Sequence, residues 1–299
     1  MNGILNIYKE AGYTSFDVVA KLRGILKQKK IGHTGTLDPA AQGVLPVCIG
    51  RATKLCELLT DGTKAYEAEL LLGTETDTLD LEGNVLKQTL VTCSEEEVRE
   101  CLASFVGEGE QIPPMYSALK VKGKRLYELA REGIEVERKS RKVTFFEIKL
   151  LQINLPRVRF WVKCSKGTYI RSLCDDIGRK LGCGGCMESL KRTASGSFTL
   201  ETALTLSKVE ELVREGKIEE ALIPMDAYFK DYRKVSSLKE ADKAVHNGNA
   251  LFLKMSDAAG KGLAEGEKVR VYDSQGKFIG IYCYESKKES LKAFKILME

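Results

Sequence analysis

The chain has 299 residues, of which 43% are hydrophobic and 30% charged, values typical of a globular protein with a sizeable core. No apolar run approaches the roughly 18 residues of a membrane-spanning helix, and the N-terminus lacks the basic-then-apolar pattern of a signal peptide. We therefore expect a cytoplasmic protein that neither crosses a membrane nor is secreted. The length allows one large domain or two.

The charge of the chain is unevenly distributed. The net charge is only +5, yet residues 118–171 contain fifteen Lys and Arg against five Asp and Glu. Residues 230–299 contain fourteen Lys and Arg against ten Asp and Glu, and the rest of the chain is mildly acidic. One strongly basic stretch and a basic tail favour a polyanionic partner such as a nucleic acid.

Cysteine and histidine usage argues against a metal site. The nine cysteines include one Cys-x-x-Cys pair, Cys183 and Cys186, whereas a structural zinc site usually needs a second pair. The two histidines, His33 and His246, are far apart in the sequence. The acidic segment 74–83 lacks the ligand spacing of a calcium loop. We expect no metal, no disulfide framework, and a turn around Cys183 and Cys186.

Hydrophobic periodicity predicts helices where it follows 3.6 residues and strands where it alternates. In chain order, these patterns predict a helix from Ser15 as N-cap to Leu26, a strand over 64–72, a helix over 94–106 that begins with a capping box, a short helix over 125–132, strands over 142–151 and 157–164, a helix over 169–181, a helical stretch over 208–222, and short strands over 250–254, 268–273 and 278–284. Without a regular βαβ period or an internal repeat, this order favours an α+β protein. After Pro224 the sequence changes from helical periodicity to short strands separated by turn signals. This change indicates two domains, residues 1–229 and residues 230–299.

The segment 31–54, with sequence IGHTGTLDPAAQGVLPVCIGRATK, is rich in turn-forming residues. It contains four glycines and two prolines, and Asp38 is its only carboxylate. This composition predicts a rigid irregular loop that holds the Asp38 side chain in a fixed orientation. An equally weighted interpretation makes Asp38 a helix N-cap with Pro39 in the first helical position. No phosphate-binding consensus is met.

The same segment resembles a known catalytic motif. Gly-His-Thr-Gly-Thr-Leu-Asp38-Pro, followed by Ala-x-Gly-Val-Leu and Gly50-x-Ala-Thr-Lys54, is similar to the motif of the TruB family of tRNA pseudouridine-55 synthases. Five further blocks that resemble the family occur in the family's order: Tyr8 to Ser15, Lys64 to Asp80, Gln111 to Lys120, Gly167 to Leu173, and Leu190 to Phe198. One departure is Glu10, which stands where the family has a proline.

The resemblance implies a reaction and a fold. The reaction is the isomerisation of uridine 55 in the T loop of tRNA, in which the N1–C1′ bond is broken and a C5–C1′ bond is made. It needs no cofactor, because no electrons or groups are exchanged. The implied partner is the tRNA T stem-loop, bound by a monomer without an obligate protein partner. The implied fold is a mixed, largely antiparallel sheet flanked by helices and loops, followed by a small PUA-like β-barrel that binds RNA.

The resemblance also assigns roles to individual residues. Asp38 is the essential carboxylate, either as a nucleophile or as a base toward the ribose, and Arg171 is the cation that keeps it ionised. Tyr66 stacks on a flipped base, and its hydroxyl handles the proton lost from C5. Tyr169 and Leu190 line the pocket.

The remaining implied contacts are with RNA outside the pocket. His33 resembles a histidine that the family inserts into the T loop. The basic residues expected to contact RNA are Lys9, Lys54, Lys64, Lys120, Lys122, Lys124 and Arg125, although much of this charge is also compatible with a solvated surface.

Two rival interpretations remain at this point. One is a guide-RNA-dependent pseudouridine synthase, which shares the catalytic domain; the compact length of 299 residues favours the stand-alone type instead. The other is a protein that binds or folds tRNA and in which catalysis is incidental.

Overall fold

A computed structural model describes residues 1–121 and 123–298, and of Lys120 it describes the backbone alone. The predicted RNA contacts of Lys122 and of the Lys120 side chain lie outside the described residues. Within these residues, no helix is long and apolar enough to cross a membrane. The same residues contain no group of three or more His, Cys, Asp or Glu side chains arranged to hold a metal ion.

The described chain forms eighteen strands and seven α-helices. The strands are β1 (Gly3–Lys9), β2 (Ile31–His33), β3 (Gln42–Ile49), β4 (Lys64–Leu72), β5 (Thr74–Thr76), β6 (Val85–Gln88), β7 (Gly107–Gln111), β8 (Lys120–Val121), β9 (Lys124–Arg125), β10 (Arg141–Asn154), β11 (Arg157–Cys164), β12 (Gly185–Ser195), β13 (Phe198–Thr199), β14 (Arg233–Ser236), β15 (Leu251–Phe252), β16 (Lys268–Tyr272), β17 (Phe278–Glu285) and β18 (Ser290–Ile296). The helices are α1 (Ser15–Ile25), α2 (Cys56–Thr60), α3 (Glu95–Ala103), α4 (Leu126–Arg131), α5 (Ile170–Lys180), α6 (Leu206–Arg214) and α7 (Asp242–His246).

A nine-stranded sheet forms the centre of the molecule. Its main order is β1-β3-β12-β4-β11-β10-β7, with β2 added to β3 and β13 added to β12. The β3–β12 pair is parallel, and the other pairs of this sheet are antiparallel. The expected α+β class, with a mixed and largely antiparallel central sheet, is confirmed.

Helices α3 and α5 cover one part of this sheet and enclose its largest apolar cluster. Val98 and Leu102 of α3 pack with Leu173 and Ile177 of α5 and with Phe160 of β11. Helix α3 begins where the sequence predicts it, because the Ser94 and Glu97 side chains each accept a hydrogen bond from the other's backbone N–H. The second large cluster lies between α1, α6 and strands β1 and β3.

The C-terminal part forms a separate five-stranded sheet in the order β14-β16-β17-β18-β15. It has an apolar cluster of its own, which includes Val235, Val271 and Tyr282. Another cluster joins Ile281 and Leu297 of this part to Ile4 and Leu55 of the central part. The small C-terminal β domain is therefore present, and the boundary between residues 229 and 230 stays a prediction.

The structure corrects several details of the sequence-based elements. The N-cap of α1 is Thr14, whose hydroxyl accepts from Asp17 N, and not Ser15. The expected helical stretch 208–222 is α6, which ends at Arg214, followed by a single 3₁₀ turn over Ile218–Ala221. Cys186 lies in β12 and not in the turn that holds Cys183.

Candidate active site

Asp38 lies in the 34–41 loop, which connects β2 to β3. No helix begins there, so the interpretation of Asp38 as a helix N-cap is wrong. The chain turns after Pro39, with Ala41 N donating to Asp38 O at 3.1 Å, and then enters β3. Pairing of β3 with both β1 and β12 makes an extended chain from Gln42 onward. The expected irregular loop is therefore confirmed for residues 34–41, and residues 42–49 form a strand instead.

Both neighbours of Asp38 are anchored to the N-terminal segment. Leu37 N donates to Ser15 Oγ at 2.9 Å, and Ser15 Oγ donates to Leu37 O at 3.3 Å. On the other side, Pro39 O accepts from Lys9 Nζ at 3.0 Å and from Gly12 N at 2.9 Å. The Asp38 backbone is thus fixed on both sides, which restricts the orientation of its carboxylate.

Arg171 binds the Asp38 carboxylate in a two-point contact. Nε lies 3.1 Å from Oδ2, and Nη2 donates to Oδ1 at 3.2 Å. The same guanidinium donates to Tyr116 O at 2.9 Å and to Thr78 O at 3.2 Å, and its Nη1 lies 3.5 Å from Asp80 Oδ2. Its position is therefore set by two carboxylates and two backbone carbonyls together.

The first turn of α5 carries Arg171 to this position. Gln111 of β7 holds Tyr169, the residue before α5, since its amide donates to Tyr169 O at 2.9 Å and accepts from Tyr169 N at 2.7 Å. Near the other end of α5, the helix packs closely on the start of β12, where a Cβ on Gly178 would lie 2.3 Å from Gly184 C. Only glycine permits this approach, so the helix is fixed against the sheet.

The electrostatic surroundings of Asp38 act in opposite directions. Burial raises the pKa of this carboxyl, the Arg171 guanidinium opposes that shift, and the Asp80 charge adds to it. The side chain still keeps 35% of its surface exposed, whereas Arg171 keeps 6%. A partly exposed carboxylate with a raised pKa and a buried cationic partner suits the removal of a proton or an attack on carbon.

Tyr66, Leu190 and Tyr169 surround the same place. Tyr66 of β4 and Leu190 of β12 share one face of the sheet, since Leu190 pairs with Ala68, two residues from Tyr66. Both are 9% exposed and belong to the apolar cluster that contains Leu37. Burial raises the pKa of both Tyr66 and Tyr169, and the charge of Asp38 raises it further. The structure therefore groups Tyr66 and Leu190 with Leu37, the neighbour of Asp38, and places both tyrosines within the electrostatic influence of Asp38.

His33 lies at the end of β2, opposite Val47. Its Nδ1 accepts a hydrogen bond from Gly35 N at 3.3 Å, and burial lowers the pKa of the imidazole. His33 is thus an uncharged, half-buried ring at the start of the 34–41 loop at neutral pH.

The predicted RNA-contacting cations fall into two groups. Lys9 and Lys64 are only 0% and 7% exposed, and their ammonium groups donate to backbone carbonyls, so neither reaches the surface. Burial lowers the pKa of each to about 8. Lys124 and Arg125 of β9 are exposed. Lys54 is exposed as well, but its Nζ donates to Ile296 O of the C-terminal sheet at 2.9 Å.

Three residues of this site were not singled out from the sequence. Ser15 anchors Leu37, Asp80 shares Arg171 with Asp38, and Arg192 of β12 donates to carbonyls of the 34–41 loop. All three lie inside the sequence blocks that resemble the family. Membership in a block is the only signal that could have identified them, because each acts through contacts that are distant in the sequence.

Comparisons with known proteins match the whole chain. Residues 23–170 match the model of the TruB family pseudouridylate synthase N-terminal domain, and residues 171–230 match the tRNA pseudouridylate synthase B C-terminal domain. The tRNA pseudouridine synthase B of Alkaliphilus oremlandii is 50% identical over 298 residues, which cover 99% of this chain and 98% of the relative. The protein of the same name from Lachnoclostridium phytofermentans is 53% identical and covers 100% of both chains.

Solved structures give a consistent result. A chain in the crystal structure of a Cbf5-Nop10-Gar1 complex superposes with a TM-score of 0.74 at 28% identity, covering 99% of this chain and 85% of that chain. A chain in an H/ACA RNP bound to a substrate RNA containing 2′-deoxyuridine superposes with a TM-score of 0.73 at 26% identity, with the same coverage. With six sequence blocks, two family models and full-length relatives in agreement, the chain belongs to the TruB family of pseudouridylate synthases.

Proposed function

We propose that this chain converts uridine 55 in the T loop of tRNA to pseudouridine, as a cytoplasmic monomer that needs no protein partner or cofactor. The observation that carries the proposal is the two-point contact between Arg171 and the Asp38 carboxylate, next to the apolar cluster that contains Leu37, Tyr66 and Leu190. Full-length relatives at 50% and 53% identity that are named tRNA pseudouridine synthase B support tRNA as the substrate.

The pocket suits a pyrimidine that has left its stack. A base inside a folded loop must be flipped out before an enzyme can reach its glycosidic bond. Tyr66 offers a flat ring on which the base stacks, and stacking is worth about 1–3 kcal/mol per base. Leu190 supplies an apolar surface in the same cluster as Tyr66, and Tyr169 directly precedes the helical turn that carries Arg171.

Asp38 carries the chemistry in this proposal, in one of two roles. As a nucleophile it attacks the sugar or the base; as a base it takes a proton from the ribose and a glycal-like intermediate results. Both roles require the ionised carboxylate that Arg171 favours. The Tyr66 hydroxyl is the group proposed to handle the C5 proton after the new C–C bond is made.

A guide-RNA-dependent synthase is the second candidate, and one observation favours it. The superposition with the Cbf5 chain covers 99% of this chain. However, sequence identity is 28% to that chain and 50% to the tRNA pseudouridine synthase B of Alkaliphilus oremlandii. The stand-alone activity is therefore the better supported of the two.

The test uses the purified chain and an unmodified tRNA transcript, without guide RNA or other proteins. We expect pseudouridine at position 55, detected by carbodiimide modification and primer extension, and none with Asp38→Asn, which should still bind tRNA. Asp61→Asn, which removes an exposed carboxylate paired with Lys166, is the matched control and should keep full activity. Product from Asp38→Asn would contradict the role of Asp38, and a requirement for guide RNA would favour the second candidate.

A further inference from the structure

Arg192 is a buried cation without a carboxylate partner among the described residues. Its side chain is 2% exposed, and none of its nitrogens forms an ion pair with a described Asp or Glu. A buried charge is costly unless polar groups compensate it. Its low exposure also rules out a direct contact with RNA phosphates. The desolvation cost of burying Arg192 near the candidate active site must therefore be offset by the polar groups that its guanidinium binds.

The guanidinium connects the beginning of the 34–41 loop to strand β3, which follows the loop. Nε donates to Val44 O at 2.6 Å, just beyond the loop, and Nη1 and Nη2 donate to Thr36 O and Gly35 O, each at 3.4 Å, just before Asp38. One planar group therefore connects the segment that enters the loop with the segment that leaves it. The loop between them carries Asp38.

The position of Arg192 is itself set by the central sheet. Arg192 pairs in parallel with Gly43 of β3, and a Cβ on Gly43 would lie 2.2 Å from Arg192 O. Gly43 also has a φ of +110°, which favours glycine. The two strands therefore approach each other more closely than any side chain at residue 43 would allow. This approach places the guanidinium against the loop carbonyls.

Arg192 also contacts the proposed stacking residue. It is the cross-strand partner of Tyr66 in the β4–β12 pair. Burial raises the pKa of Tyr66, and the positive charge of its cross-strand neighbour Arg192 opposes that shift. Arg192 thus lies behind both groups that the proposed chemistry uses, Asp38 and Tyr66.

We propose that Arg192 is a positioning residue for pseudouridine formation: it fixes the 34–41 loop, and with it Asp38, and it places its positive charge beside its cross-strand neighbour Tyr66, without touching the uridine. This inference rests on the proposed function. A displacement of about 1 Å in a reacting group is enough to slow a reaction about 100-fold. The fork of an arginine holds three carbonyls at once, and the point charge of a lysine does not.

The experiment compares Arg192→Lys with Arg192→Gln in single-turnover assays at saturating enzyme, alongside tRNA binding and thermal melting. We expect Arg192→Lys to fold and to bind tRNA within about 3-fold of the wild type, while the rate falls about 100-fold. Arg159→Lys is the matched control. Arg159 forms an ion pair with Glu67 on the outer face of the same sheet, and 48% of its side chain is exposed. It should keep the full rate. If Arg192→Gln does not fold, Arg192→Lys alone decides the result.

Two further readouts separate positioning from general destabilisation. Amide exchange at Leu37 and Ala41 should rise in Arg192→Lys more than in the rest of the central sheet. In a Tyr66→Phe background, Arg192→Lys should cost several-fold less than in the wild type, because one of its targets is gone. A wild-type rate for Arg192→Lys, a rate loss fully explained by weaker tRNA binding, or strictly multiplicative losses with Tyr66→Phe would overturn the inference. If the wild type forms no pseudouridine or Asp38→Asn stays active, the proposed function fails instead.

Discussion

The guanidinium of Arg171 contacts both carboxylate oxygens of Asp38, with Nε 3.1 Å from Oδ2 and Nη2 3.2 Å from Oδ1. Its Nη1 also lies 3.5 Å from Oδ2 of Asp80. One cation is thus shared between two carboxylates. Asp80 is itself held in place, since its Oδ1 accepts from Thr78 Oγ1 at 2.5 Å and from Glu82 N at 3.1 Å. This arrangement orients Arg171 firmly but neutralises Asp38 only in part, in keeping with the raised pKa of Asp38.

The two-point contact leads to a first prediction. Arg171→Lys keeps a positive charge but cannot bind both oxygens of Asp38 or reach the carbonyls of Thr78 and Tyr116 with the same geometry. We expect the single-turnover rate of pseudouridine formation to fall about 100-fold or more, while tRNA binding changes little.

The chain offers a matched control for that substitution. Arg157 binds Glu188 with the same fork, Nε at 2.8 Å and Nη2 at 3.0 Å, but 50% of its side chain is exposed on the surface. Arg157→Lys should leave the rate unchanged and have little effect on stability, because an exposed ion pair contributes little. Equal rate losses in the two variants would show that the Asp38 contact has no special importance.

The sequence was sufficient to predict that Asp38 and Arg171 belong to one site, which the structure joins by a two-point contact, and most of the secondary structure. The sequence blocks that resemble the family contain Asp38, Tyr66 and Arg171. Strands such as β4 show either alternating apolar and polar residues or a continuous apolar run. The sequence could not decide whether Asp38 caps a helix, because a dipeptide of Asp and Pro suits both a cap and a loop. Pairing of β3 with β1 and β12, which are distant in sequence, decides it.

The prediction of RNA contacts was weaker for a physical reason. The sequence alone does not show whether the ammonium group of a lysine binds RNA phosphates or backbone carbonyls of the same protein. The structure buries Lys9 and Lys64 beneath loops whose carbonyls need donors, and it leaves Lys124 exposed. Burial of this kind depends on how separate segments meet, which no local pattern records.

Lys9 gives a second prediction, about the anchoring of the 34–41 loop. Its ammonium donates to Tyr13 O at 2.5 Å, Pro39 O at 3.0 Å and Glu10 O at 3.1 Å, and with a pKa of about 8 it is mainly protonated at pH 7. Lys9→Met removes these donors from buried carbonyls, so unfolding free energy should fall by about 2–4 kcal/mol. Urea unfolding at pH 7 measures this, with exposed Lys208→Met as the control. Unchanged stability would contradict the anchoring role.

A third prediction concerns the pH dependence of stability. Burial and the neighbouring Asp175 raise the pKa of Asp176 in α5 from 3.8 to about 6. The folded chain therefore binds this proton more tightly than the unfolded chain, so the ionised form weakens folding above pH 6, and this penalty disappears as the pH falls from 6 to about 4. Asp176→Asn removes the charge.

The substitution should therefore stabilise the protein at pH 8 by about 1–2 kcal/mol, less than the full shift corresponds to because solvent screens a partly buried side chain, and have little effect near pH 4. Thermal melting of both proteins across this range tests it. Asp231→Asn, at an exposed position, is the control and should show no such trend. A gain of equal size at pH 4 and pH 8 would mean that packing and not ionisation is responsible.

A fourth prediction addresses Lys124 and Arg125, the two exposed cations of β9. Arg125 Nη1 donates to the Tyr127 hydroxyl at 3.0 Å, and the guanidinium groups of Arg125 and Arg131 lie over the Tyr127 ring. If this surface meets tRNA phosphates, Lys124→Gln combined with Arg125→Gln should weaken binding and reduce the salt slope by about 1–2. Lys208→Gln with Lys217→Gln, two exposed cations in and just after α6, is the control. Identical slopes for both pairs would show that Lys124 and Arg125 do not contact the RNA.

The last prediction tests how far the C-terminal sheet is independent of the rest. Ile279 and Ile281 lie two residues apart on β17 and are 0% and 1% exposed, but Ile279 packs within the C-terminal cluster, whereas Ile281 packs with Ile4 and Leu55 of the central part. Each change to Ala should cost about 2–4 kcal/mol, because each leaves a cavity. Only Ile281→Ala should also raise amide exchange in β1, because only that side chain supports the central sheet across the boundary. If neither variant changes amide exchange in β1, residues 230–299 fold as a separate unit. Their removal would then leave the active-site part intact.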